Sequence, residues 1–223
     1  MKKENKNVKK ERVTLYKYSL SEELISAISH GVGVILAIVA IILCIHASKD
    51  NGAIALFSTI TYGTSLMILY LMSTLYHSLK PNKAKKVFRI FDHCSIFLLI
   101  AGTYTPFCLL TLKGQAGWIL FAIIWACAIT GIVLNSINLE KFDKASFVLY
   151  LIMGWSIVFN FKVLVEAISS TGLFLLIAGG LAYTLGAVIY LIGHKVKYMH
   201  SIWHFFVLGG SIIHFFCIYT QVL

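Results

Sequence analysis

HSIWHFFVLGGSIIHFFCIY, residues 200–219, is the last hydrophobic segment of the chain and is long enough to cross a bilayer as a helix. It nevertheless carries His200, His204 and His214. An imidazole is unwelcome in hydrocarbon unless it meets a partner, so histidines on a spanning helix mark a candidate site. His200 and His204 lie four residues apart, on one helical face and about 6 Å apart in rise. His214 falls on nearly the same face, deeper along the helix. HxxxH is the spacing with which one helix offers two nitrogens to a single metal ion. Any further ligands must come from other segments at the same depth.

Composition sets the class of those segments. Of 223 residues, 59% are hydrophobic and only 13% charged, with a mean hydropathy of +0.85. A water-soluble domain of this length cannot hide so much apolar surface, so an all-α, multi-pass membrane protein is predicted. The formal charge of +10 then fits basic cytoplasmic loops and requires no nucleic acid. Cys44, Cys94, Cys108, Cys127 and Cys217 all sit in or beside apolar runs, without a CxxC pair, and read as small apolar filler rather than a disulfide framework.

Seven segments of bilayer length are expected, near 24–47, 53–78, 91–111, 117–136, 146–166, 173–193 and 200–220. Short breaks such as Lys49-Asp50-Asn51-Gly52, Lys80-Pro81-Asn82 and Glu140 to Lys144 make consecutive helices antiparallel. Residues 1–20 read as a basic cytoplasmic tail rather than a signal peptide, and 21–223 as one seven-helix transmembrane domain. With the N-terminus cytoplasmic and the C-terminus outside, all of the 19 Lys and Arg residues except Lys49, Lys113 and Lys162 fall on the inner side. Pro106 should kink the third span. Ser29 with Gly33, and Ala182 with Gly186, have the four-residue spacing that lets helices approach closely.

This arrangement gathers the intramembrane polar residues at one level. Ser73 and His77 end the second span, Asp92 and His93 open the third, and His200 and His204 open the seventh. Three imidazoles (His77, His200, His204) with a fourth tetrahedral position open match the ligand count of a catalytic zinc site. Asp92 is then placed to orient a water and take its proton, and Ser73, one turn before His77, to hydrogen-bond that water or a substrate carbonyl. His46 and His194 read as interfacial residues, and His93 and His214 as packing or outer hydrogen-bonding groups.

The motifs STLYH (73–77), DHCSIF (92–97), GTYTP (102–106) and HSIWH with the following His214-Phe215, together with EELISAISHGVG (22–33), resemble the hemolysin III family. That family is the bacterial branch of the progestin and adipoQ receptor group, which includes the adiponectin receptors. The resemblance runs over essentially the whole chain. It implies a seven-helix fold in a bacterial plasma membrane with a zinc ion near the cytoplasmic face. His77, His200 and His204 take the ligand positions, Asp92 that of the acid holding the water at the metal, and Ser73 that of its neighbour. Ser26 departs from the asparagine that bacterial relatives often carry there, which leaves Glu22, Glu23 and His30 without an assigned role. No segment corresponds to a large hormone-binding domain, so membrane lipids rather than a protein ligand are the expected partners. The leading functional reading is a zinc-dependent hydrolase of a lipid amide (ceramide-like) or ester, acting in membrane homeostasis. The alternatives are a cytolysin that permeabilises host membranes, and a sensor or receptor in which zinc only staples helices together.

Overall fold

In the computed structural model, which describes residues 13–193 and 196–223, the apolar segments are helical. Most of the basic tail, including Lys2 to Arg12, and also His194 and Lys195 lie outside the described residues. Helix α1, Leu20–Ser48, begins at a capping box: the Ser19 hydroxyl accepts from the Glu22 N–H and the Glu22 carboxylate accepts from the Ser19 N–H. Gly52, at φ 89°, turns the chain into α2, Ala53–Ser78, with a backbone conformation that a β-carbon disfavours. Asn82 caps α3, Lys83–Pro106, accepting from the Lys85 N–H at 2.8 Å. The distortion expected at Pro106 takes the form of a wider π-helical turn, Phe107–Leu112. Lys113 and Gly114, both at positive φ, then turn the chain into α4, Gly114–Trp155.

The expected fourth and fifth spans are not separate helices joined by a loop but parts of one long apolar helical run, Gly114–Ala167. Helix α4 is followed directly by a 3-10 turn, Ser156–Asn160, and by the short α5, Phe161–Ala167. Its regularity fails inside at Asn138, with φ −162° and ψ 95°. The Asn138 side chain accepts from the Lys141 N–H at 3.0 Å and so caps the arm that follows, which replaces the predicted loop at Glu140 to Lys144 with one residue. Ser146 donates to Asn135 at 2.6 Å, although 11 residues of straight helix would separate them by about 16 Å. The arms of α4 are therefore folded sharply against each other. After α6, Ser170–Gly193, and α7, Met199–Gln221, the described residues hold six helices long and apolar enough to cross a membrane, not seven. With six, the parity that put the two termini on opposite sides of the bilayer lapses, and the predicted cytoplasmic N-terminus and external C-terminus lose their support.

Helices α1 to α4 pack successively on one another, α6 packs on α7, and α7 closes back onto α1. That closure brings the start of α7 beside the end of α2. The interior is filled by Tyr62, Tyr70, Phe97, Ile124, Met153 and Ile218, each almost wholly buried. Gly33 lies under the Tyr70 ring, where a β-carbon would collide with it. Four of the five cysteines are buried and all are free, in keeping with a filler role. Ile28, Ile35 and Ile42, seven residues apart on α1, point outward at 61–64% exposure, as a lipid-facing stripe must.

Candidate metal centre

The last turn of α2 and the first two turns of α7 meet at one end of the bundle. His77, His200 and His204 are all buried there. Their Nε2 atoms converge, His77 to His200 at 3.4 Å and His200 to His204 at 3.3 Å. A tetrahedral zinc with Zn–N bonds of 2.0–2.1 Å has an N···N edge of about 3.3–3.4 Å. The three histidines are also the only group of such donors within 4.8 Å of one another among the described residues. The donor set therefore fits a metal ion bound by three neutral imidazoles.

Two glutamates on the first turn of α1 organise this end of the molecule, in different ways. Glu22 Oε1 accepts from the Tyr198 N–H at 2.8 Å, holding that residue in the left-handed region, φ 67°, immediately before α7. Ser201 adds a bond to the Glu22 carbonyl and meets Ser26 at 3.1 Å, so the departure at Ser26 still links α1 to α7. Glu23 points the other way. Its Oε2 lies 2.7 Å from His77 Nδ1 and its Oε1 2.5 Å from the buried Lys85 ammonium. An adjacent pair of acids in a first helical turn reads from sequence as capping charge, which describes Glu22 and conceals Glu23.

Asp92 and Ser73 lie at the same end but stand apart from the nitrogen trio. Both are buried, and the Ser73 hydroxyl interacts with the Asp92 carboxyl without reaching regular hydrogen-bond geometry. Asp92 lines a cavity of about 160 Å³ that His30, Thr103, Tyr183, Trp203 and His214 also border. His30 packs its ring 3.9 Å from that of His204, with neither nitrogen hydrogen-bonded. His214 donates from Nε2 to the Leu176 carbonyl at 3.1 Å, a bond that ties α7 to α6. The carbonyl of His93 accepts from the Tyr150 hydroxyl.

Residues 13–19 cross this end as a strap. The Tyr18 ring stacks on His200, centroids 4.6 Å apart and planes 19° apart. Thr14 donates twice to Glu140, whose carboxylate also pairs with Arg89, and the Arg89 guanidinium lies 4.7 Å from the Tyr16 ring centre. Burial raises both phenols above the ordinary tyrosine range, Tyr18 the more strongly, so both remain neutral hydroxyls.

The family described as Haemolysin-III related matches residues 18–215. Hemolysin-3 of Bacillus cereus is 49% identical over 214 residues, covering 96% of this chain and 97% of that protein. Hemolysin-3 homolog of Bacillus subtilis (strain 168) is 43% identical over 202 residues, 90% of this chain and 94% of the other. Monocyte to macrophage differentiation factor of Homo sapiens is 28% identical over 213 residues, 93% and 87% of the two chains.

Proposed function

The chain belongs to the haemolysin-III-related family of multi-pass membrane proteins, and on that premise we propose that it is a zinc-dependent hydrolase of a lipid amide or ester. The observation that carries this reading is the convergence of the His77, His200 and His204 Nε2 atoms at a tetrahedral edge length, at the end of the bundle that also holds the buried Asp92. His77, His200 and His204 would hold the zinc, which when bound would supply Lewis acidity toward a carbonyl and lower the pKa of water toward neutrality. Asp92 receives the proton from the attacking water and returns it to the leaving group. Ser73 steadies Asp92 with its one hydroxyl proton. The largely apolar cavity reaching from Asp92 to His214 suits an acyl chain and keeps bulk water from the reacting centre.

Metal content is measured first, on detergent-purified protein beside His77→Ala and His204→Ala. About one zinc per chain is expected, lost in both variants. Asp92→Asn should then keep its zinc while hydrolysis of a ceramide-like amide falls by about 10²–10⁴-fold. Full turnover by that variant would sink the mechanism.

The names of the two bacillary relatives favour a second reading, permeabilisation of membranes. It predicts dye release from lipid vesicles by purified protein after chelation of metal. Zinc that only staples α2 to α7 predicts unfolding on chelation and no lipid hydrolysis when loaded.

A further inference from the structure

His77 is the one ligand that α2 contributes, and only one of its ring nitrogens can face the other two histidines. A carboxylate can only accept, so the 2.7 Å contact between His77 Nδ1 and Glu23 Oε2 requires the proton on Nδ1. The Nε2 lone pair is thereby left free and aimed at His200 Nε2. Glu23 is itself held. Lys85 Nζ donates to Glu23 Oε1 at 2.5 Å and to the Leu79 carbonyl at 2.9 Å, and lies 5.1 Å from the centre of the Tyr76 ring. The Lys85 side chain is 2% exposed, a burial that an ammonium tolerates only when so fully engaged. His204, by contrast, has no hydrogen bond at Nδ1 and is located by ring contacts with His30, His77 and Trp203.

We propose that Glu23 and Lys85 form the outer shell of the metal centre: Glu23 fixes the tautomer and ring orientation of His77, and Lys85 fixes Glu23. The proposal rests on the metal reading of the three histidines. Both residues are positioning residues, since neither points a donor into the trio. Glu23 comes from the start of α1, Lys85 from the start of α3 and His77 from the end of α2, so metal affinity depends on how three helices are joined at this end. A carboxylate behind a ligating histidine raises the basicity of the ring and prevents it from turning, and losing such a partner typically weakens metal binding about 10–100-fold.

The competing account is that Glu23 and Lys85 are only an ion pair stapling α1 to α3. The test uses the full-length protein in detergent, with zinc affinity read by competition against a chromophoric chelator. The ligand field is read from the visible absorption bands of the cobalt-loaded protein. The variant is Glu23→Met with Lys85→Met, which removes the acceptor behind His77 Nδ1 and takes away both charges together, so that neither is left buried alone. Tyr104→Phe, which cuts bonds to Gly154 and Ile157 far along α3, controls for general loosening. The expected result is a zinc affinity about 10–100-fold weaker and a shifted cobalt spectrum in the double variant, with neither change in the control. Wild-type affinity and spectrum in the double variant, with only a lower Tm, would make the pair a staple and overturn the inference while leaving the metal centre standing. A wild-type protein that binds neither ion overturns the metal reading, and this inference with it. If the double variant does not fold, Glu23→Ala with Lys85→Met, which also removes the acceptor for Nδ1, is held to the same readings.

Discussion

Arg89 is 1% exposed, yet it sits at the end of the bundle that the strap crosses. Its guanidinium bonds both the Thr14 carbonyl and the Glu140 carboxylate, so it ties the strap and the bend of α4 to α3. Removing Glu140 leaves that charge buried with a carbonyl as its main partner, and Glu140→Ala is expected to cost about 2–3 kcal/mol. The melting temperature in detergent checks this, and Arg89→Met added to Glu140→Ala should recover part of the loss, because the buried charge goes with it. Single residues also mark how far sequence reasoning reached. His77, His200 and His204 were legible because helical spacing fixes which side chains share a face and a level. Glu23 was not, since its role depends on the rotation of α1 about its own axis, which no local pattern reports.

Helix α6 shows how little contact a membrane helix needs in order to be placed. Its only buried residues are Gly172, Gly179 and Gly186, seven apart, and they form one stripe. A β-carbon on Gly179 would enter the His214 ring and one on Gly186 would press on Phe206, so both glycines set the approach of α6 to α7. Gly179→Leu should force the helices apart, break the His214–Leu176 bond and destabilise the protein by about 1–3 kcal/mol. The same change at Gly180, which has open space around it, should leave the melting temperature unchanged. Sequence pointed to Gly186 as a packing residue but read the region 137–145 wrongly. Charged residues there resemble a loop between spans, whereas Asn138 bends the chain by leaving the helix at one residue and capping the next arm with its own side chain. Propensity and hydropathy average over a window and do not resolve a bend of that size.

Across the whole molecule the polar and apolar residues are distributed in the reverse of a soluble protein. Glu22, His30, Lys85, Arg89 and Asp92 are buried, while Ile35, Phe57, Phe174 and Leu185 are half exposed or more. Only hydrocarbon outside the bundle makes such an arrangement stable, because the exposed apolar surface then costs nothing, while Glu22, Lys85 and Arg89 find their partners within the protein. This overall inversion was legible from composition alone. The number of long helices was not, because it depends on where a continuous apolar run chooses to bend. The inversion also makes a directional prediction about charge. Ile35, near the middle of α1 and 63% exposed, meets lipid, so Ile35→Lys should disfavour insertion of that helix by about 2.5–3.5 kcal/mol. Lys17, exposed ahead of α1, can become Ile with no such penalty. Measured as the inserted fraction of α1 in microsomal membranes, equal insertion of wild type and Ile35→Lys would mean that this face of α1 is covered by protein rather than lipid. The stripe through Ile28, Ile35 and Ile42 would then be a contact between chains, and the assembly larger than one bundle.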